Sequence, residues 1–470
     1  MSVSAPGQGQ VLRARVTAAQ GWIVTEPGAR PRLVSEPWIT IEGPNIVAVG
    51  HGPSARPPDA QTDTQTLVYD LGQSLLLPGL VNAHSHAFQR AIRGATHRRG
   101  QGDPSSFWSW RDAMYRVANS LDPEGVYTQT RACFAEMLAR GITCVGEFHY
   151  LHHQPSGEPY PDPNALSLAV VRAARSVGLR LCLLEVYYAR AGAGAGPLPE
   201  QRRFCDRSVD AYLARFEALR ASTKPELDPE SNPESAPWLS FGVTPHSVRA
   251  VPADALRELA RYANEHRLPI HAHVSEQPLE NQQCLEEYGR TPLEVFADAG
   301  CLDRPGAFTA VHAIHVDDSD LERMRGHQIC ACPSTEADLG DGVIPARRWR
   351  EHGATLALGS DSNAVIDLLQ EGRLLEMHER LAQRARLCLT DTDGQVAPVL
   401  LDAATIGGAQ ALGQPLLGKL AVGSPFDALA LDLDHWLLRG VAPEHTLDAL
   451  LLAGSAEPIS QVWVGGRRRI

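Results

Sequence analysis

Apolar positions follow two different rhythms along this chain. Up to residue 75 they form short alternating runs broken by turn formers, as in GWIVTEPG, PWITIEGPNIVAVG and TLVYDLGQS, and FDALALDLD and ISQVWVGG resume that style near the C-terminus. Short runs of period two bounded by Gly, Pro and Asn predict β-strands joined by turns. Between them lie eight denser apolar runs: LLLPGLVNAHSH, GITCVGEFHY, LRLCLLEVYY, LSFGVTPHS, PIHAHVSE, FTAVHA, QICACPS and TLALGSDS. Runs without alternation fit strands buried on both faces, as in a parallel sheet covered by helices.

Helical patterns separate most of these runs. In PADALRELARYANEH, Leu256, Leu259, Ala260 and Ala263 recur at i, i+3, i+4 and i+7, and Pro252 suits a first helical turn. Eight such strand-helix units predict an α/β fold, a (β/α)8 TIM-like barrel over residues 76–413. A small β-sandwich domain is expected from both termini, residues 1–75 and 414–470. Residues 222–237, STKPELDPESNPESAP, are polar and aperiodic and read as an exposed loop; the glycines of RAGAGAGPLPEQ read as a flexible segment over the barrel mouth.

Composition narrows the class of function. A hydrophobic content of 43% with 21% charged residues is that of a globular protein, and a net charge of −12 disfavours nucleic acid or an anionic membrane as partner. Nine cysteines without a disulfide-like framework fit a reducing compartment. No apolar run reaches the length of a membrane span, and the N-terminus lacks a basic-then-apolar leader pattern, so the cytoplasm is the expected location. Cys330 and Cys332 read as barrel core. A homodimer is the expected assembly, since that is the commonest one.

Chemistry concentrates at the C-terminal ends of the predicted strands, where barrels of this type carry their functional groups. The first run ends in His84 and His86, the fifth carries His271, His273 and Glu276, the sixth ends in His312 and the eighth in Asp361. Alternation puts His84 and His86 on one strand face, with Ser85 on the other. His84, His86, His273 and Asp361 supply the donors that a catalytic zinc requires. Strand geometry alone does not separate His271 from His273; the spacing to Glu276 favours His273. Glu276 is placed to move protons at the substrate, and His312 to hydrogen-bond and orient a metal-bound hydroxide; in a hydrolytic reading His312 and Asp361 together would hold and deprotonate the water.

These residues carry a resemblance. PGLVNAHSH, the histidines of the fifth and sixth strands, Asp361 and GKLAVGSPFDALALD together resemble the amidohydrolase superfamily over nearly the whole chain. The pattern His273-x-x-Glu276 resembles its mononuclear deaminase branch, and the fourth run lacks the lysine that binuclear members carboxylate. The resemblance therefore implies one divalent metal ion, with zinc expected. NAHSHAFQRAIRG, SFWSWRDAMYR, GEFHYLHH, PHSVRAV, STEADLGDG and GSDSNAVIDLLQEGRLLE are similar to the formimidoylglutamate deiminases of histidine degradation. That likeness implies hydrolytic deimination of N-formimidoyl-L-glutamate, a small substrate bearing carboxylates, with Gln89, Arg111, Tyr150, His246 and Arg249 as substrate-binding residues. Two planar guanidinium groups suit two carboxylates.

Two other readings share the sequence. The same metal set with Glu276 would serve an aminohydrolase acting on a purine- or triazine-type aromatic amidine. A non-catalytic member of the superfamily would be expected to have lost ligands, and this chain keeps them all.

Overall fold

The computed structural model describes residues 13–52, 66–97, 107–223 and 236–470, with side chains described from 110 onward in the third of these segments. Most of the loop expected at 222–237 lies outside the described residues. Eight parallel strands form one sheet in chain order: β1 Leu80–Ser85, β2 Ile142–His149, β3 Arg180–Tyr187, β4 Leu239–Pro245, β5 Ile270–Val274, β6 Phe308–His312, β7 Gln328–Ala331 and β8 Thr355–Leu358. Ser85 and Asp361 form a further parallel bridge, which brings the end of β8 back to the end of β1 and closes the barrel. Each strand coincides with one of the eight apolar runs. All are almost wholly buried, because helices cover the outside while side chains fill the inside.

The helix Ala253–Glu265 buries Leu256, Leu259, Ala260 and Ala263, and Pro252 stands immediately before it as N-cap. Inside the barrel the packing is made by small residues: Ala83, Val311, Cys330, Cys332 and Ala357, with Ala411 below them. Cys330 and Cys332 are thus core groups, and all nine cysteines are free thiols. The segment 403–411 plugs the N-terminal end of the barrel. A Cβ on Gly407 would lie 1.9 Å from the carbonyl oxygen of Leu356, and one on Gly408 would lie 2.3 Å from that of Val81, so only glycine permits this approach.

Two further sheets use both ends of the chain. Asn45–His51, Pro37–Glu42, Arg13–Thr17 and Leu67–Asp70 form one; the other runs Arg467–Arg468, Ile459–Val464, Ala428–Asp432, Ser74–Pro78, Gln20–Ile23 and Arg32–Ser35. Val16, Ile39, Ile41, Leu76, Phe426 and Trp463 form the core between them. The strand Ser74–Pro78 belongs entirely to this terminal unit, so the boundary expected between residues 75 and 76 falls inside a strand and the barrel starts at Leu80. Among the described residues no helix is long and apolar enough to cross a membrane.

Candidate active site

The ends of β1 and β8 are locked together by backbone hydrogen bonds. His86 N–H donates to Asp361 O at 2.9 Å, and Asp361 N–H donates to His84 O at 3.0 Å. Behind them Asn82 Nδ2 donates to Ser360 Oγ at 2.7 Å, and Asn363 Nδ2 donates to Ser85 Oγ at 3.1 Å. The register that results puts Asp361 Oδ1 3.3 Å from His84 Nε2 and 3.2 Å from His86 Nε2. Asp361 and His312 hold left-handed backbone conformations, φ 44° and 68°, which non-glycine residues rarely adopt outside constrained sites.

His273 completes the group, its Nε2 lying 3.4 Å from His86 Nε2, while the two Nε2 atoms of His84 and His86 are 3.1 Å apart. His86 Nδ1–H donates to Phe148 O at 2.9 Å and His273 Nδ1–H donates to His246 O at 3.2 Å. Those bonds fix both rings as tautomers whose Nε2 carries a lone pair. Buried lone pairs and a carboxylate oxygen converging at such distances repel one another unless a cation lies among them, so the four residues fit a divalent metal. Burial lowers His84 to about 3 and His273 well below its ordinary range, leaving both neutral as ligands must be. Burial would raise Asp361, but the His84 and His86 imidazoles beside it prevail and hold its carboxyl well below the usual range. His271 is not part of the group; its Nε2 bonds Ala411 O at 2.7 Å.

Beside this group stands a proton-handling pair. His312 Nε2 lies 3.6 Å from Glu276 Oε1 and 3.9 Å from Asp361 Oδ2. Burial raises the Glu276 carboxyl against the pull of His312; burial opposes the charge on His312, yet Glu276 and Glu336 hold that imidazole well above its ordinary range. Neutral acid beside imidazole and carboxylate beside imidazolium are thus both accessible, which is what a proton shuttle requires.

A cavity opens above these groups. Glu276, His273 and Asp361 form its floor, and Gln89, Tyr150, Arg111, His246 and Arg249 are all in its wall. Gln89 Nε2 donates to Tyr150 Oη at 2.9 Å, leaving the buried Gln89 Oε1 without a partner. The Arg111 guanidinium lies 5.5 Å from the centre of the Tyr115 ring, a contact on the next turn of its own helix. Arg249 sits on the loop after β4. Arg190 holds that loop, donating to Arg249 O at 3.2 Å and Val248 O at 3.1 Å while pairing with Glu287 at 2.6 Å.

Several contributors had no signature of their own in the sequence. Glu336 Oε1 lies 3.3 Å from His312 Nδ1 and accepts from Cys332 N–H at 2.8 Å. Asp341, raised to about 9 by burial and then by the charge of Glu276, accepts from Gln277 Nε2. Both lie in STEADLGDG, whose unusual wording was visible although no chemistry could be read from it. Gln201, the last residue of the glycine-rich segment, bridges Tyr115 Oη at 2.8 Å and Tyr188 Oη at 2.9 Å, which ties that segment to the cavity wall. Trp110, Met114, Phe204 and Leu339 complete the lining.

Comparison with known proteins identifies the family. Residues 75–469 match the amidohydrolase family. A formimidoylglutamate deiminase of Pseudomonas aeruginosa is 40% identical over 396 residues, covering 83% of this chain and 84% of that protein. An 8-oxoguanine deaminase of the same organism is 30% identical over 86% of this chain and 83% of its own length. The crystal structure of an amidohydrolase from Brucella melitensis superposes with a TM-score of 0.84 at 32% identity, covering 97% of this chain and 94% of that one. An atrazine chlorohydrolase from Arthrobacter aurescens complexed with zinc shares the fold, with a TM-score of 0.78 at 23% identity and the same coverage, 97% and 94%. The chain belongs to the amidohydrolase family, as a hydrolase acting on a carbon–nitrogen bond.

Proposed function

We propose that this enzyme hydrolyses N-formimidoyl-L-glutamate to N-formyl-L-glutamate and ammonia. The observation that carries this reading is the polarity of the cavity: the histidine–aspartate group and Glu276 at its floor, and the guanidinium groups of Arg111 and Arg249 in its wall. A substrate with an amidine-like carbon at one end and two carboxylates at the other matches that arrangement. The relative that is 40% identical is named for the same activity.

In this reading His84, His86, His273 and Asp361 hold one divalent metal ion, zinc by preference. It would supply the Lewis acidity that brings the pKa of a water to about 7. The residues of the chain do the rest. Arg249 and Arg111 pair with the glutamate carboxylates and fix the formimidoyl carbon over the floor. Asp361 and His312 orient the attacking water and accept its proton. Glu276 carries a proton to the departing nitrogen, so the C–N bond breaks as a C=O bond forms and ammonia leaves. Gln89 and His246 offer hydrogen-bonding groups along the substrate chain.

A second reading draws support from the rings of Trp110, Tyr115, Tyr150, Tyr188 and Phe204 in the same wall. Such rings suit a planar purine or triazine, and stacking would then replace the carboxylate pairing. Ammonia release from N-formimidoyl-L-glutamate, guanine and 8-oxoguanine, with metal content measured on the same sample, decides between them. Faster turnover of either purine would overturn the first reading. We also propose a role in histidine breakdown, with the cytoplasm as the location and a homodimer as the assembly.

A further inference from the structure

A second group of metal-type donors lies apart from the one at the cavity floor. His149 ends β2, Glu185 is its register partner on β3, and His152 follows three residues after His149. Side chains of register partners on neighbouring strands point to the same side, so the pairing itself brings His149 and Glu185 together. One donor atom from each of the three residues lies within 4.8 Å of the others, and all three residues are buried.

The hydrogen bonding around this group leaves its inward-facing atoms unsatisfied. His152 Nε2 bonds Val186 O at 2.8 Å, which fixes the proton on Nε2 and leaves a lone pair on Nδ1. That lone pair faces Glu185 Oε2 at 3.7 Å, acceptor toward acceptor. Arg215 Nη1 donates to Glu185 Oε2 at 2.7 Å, so Oε1 remains free. His149 Nε2, His152 Nδ1 and Glu185 Oε1 are all buried without a hydrogen-bond partner. Two orphaned acceptors, His152 Nδ1 and Glu185 Oε1, with an unpartnered His149 Nε2 beside them in one buried spot cost free energy unless something positive or protic sits among them. Burial lowers His149 to about 4 and His152 well below its ordinary range, so imidazolium protons do not fill the need.

We propose that His149, His152 and Glu185 form a second binding site for a divalent transition metal of the zinc class, with a structural role. Two imidazoles and a carboxylate are a donor set that suits such an ion, and a water completes the coordination. The ion would pin the ends of β2 and β3 to the segment 150–153. Arg215 and Asp206 form the outer layer: Asp206 takes both Nη2 and Nε of Arg215, at 2.9 and 3.2 Å, and faces His153 Nε2 at 3.3 Å. The site stands apart from the catalytic group in residues and in role, and its existence does not depend on which substrate the enzyme takes.

The test is zinc stoichiometry after saturation with zinc and exhaustive buffer exchange, combined with anomalous diffraction at the zinc edge from crystals of the unmodified enzyme. Two zinc ions per chain are expected, with one anomalous peak among His84, His86, His273 and Asp361 and another among His149, His152 and Glu185. His149→Ala should bind one ion and keep the first peak. One ion per chain with no peak at His149 would overturn the proposal. Two ions per chain in a folded His149→Ala protein would also overturn it, by placing the second ion elsewhere. The diffraction arm uses the unmodified chain and stands even if the variant fails to fold.

Discussion

Glu336 Oε1 sits 3.3 Å from His312 Nδ1, and the same oxygen accepts a hydrogen bond from Cys332 N–H at 2.8 Å. One carboxylate thus anchors the loop after β7 and sets which nitrogen of His312 bears the proton. With Nδ1–H directed to Glu336, Nε2 is the atom presented to Glu276 and Asp361. Glu336→Gln puts an amide N–H in competition for that place. Partners that orient a site histidine typically contribute about 10- to 100-fold to activity or metal affinity. We expect kcat to fall by about that factor with KM little changed and the metal retained. Unchanged kcat in a folded variant would show that Glu336 does not position His312.

Glu276 is the group expected to carry the proton to the leaving nitrogen. It lies outside the metal group, so Glu276→Gln should keep metal content at the level of the unmodified enzyme. General acid–base roles are worth about 10²- to 10⁴-fold, and turnover should fall within that range. Metal analysis and steady-state rates on one preparation check both halves. Loss of metal together with rate would mean that Glu276 is needed to hold the ion.

Much of this architecture was legible in the sequence because strand burial and strand-end chemistry leave local marks. His84 and His86 are separated by one residue, and only a strand end makes that spacing useful. His271 and His273 show where the marks run out: both point to one side of β5, and only the three-dimensional path decides that His271 meets Ala411 O while His273 meets the metal group. Glu336, Asp341 and Arg190 act through partners far away in the chain, so no local period announces them. The Ser74–Pro78 strand was misallotted for a related reason. An apolar strand looks the same in either sheet, and its pairing with Ala428–Asp432 is a long-range fact.

A buried carboxyl that does not line the cavity offers a pH test of stability. Glu371 is fully buried, accepts from Ser334 N–H at 2.8 Å and also takes the Ser334 hydroxyl. Burial raises it from the ordinary 4.5 to about 8, outweighing those two hydrogen bonds. The folded state therefore binds this proton more tightly than the unfolded state does. Its contribution is fully present below pH 4.5 and is lost as pH rises through about 8. Glu371→Gln imitates the protonated form and has no proton to lose. The Tm of the variant relative to the unmodified protein should accordingly rise with pH across that window and level off above it. Parallel Tm curves from pH 4.5 to 8 would show that Glu371 is already ionised in the folded protein.

Arg249 separates the two substrate readings. It lines the cavity on a loop braced by Arg190, and a guanidinium held there is suited to a bidentate carboxylate. If a glutamate carboxylate occupies that position, its pairing exists in the ground state and in the transition state alike, so its loss appears first in KM. Removing one member of a buried charged pair costs on the order of 2 to 5 kcal/mol. Arg249→Ala should therefore reduce kcat/KM for formimidoylglutamate by about 30-fold or more, at 1.4 kcal/mol per factor of ten. Arg249→Lys should restore little, since an ammonium cannot reproduce the planar fork. On an uncharged N-substituted formamidine the same variants should lose far less. Equal losses on the charged and uncharged substrates would remove Arg249 from carboxylate recognition, and full rescue by lysine would show that charge alone, without the fork, is what the site requires.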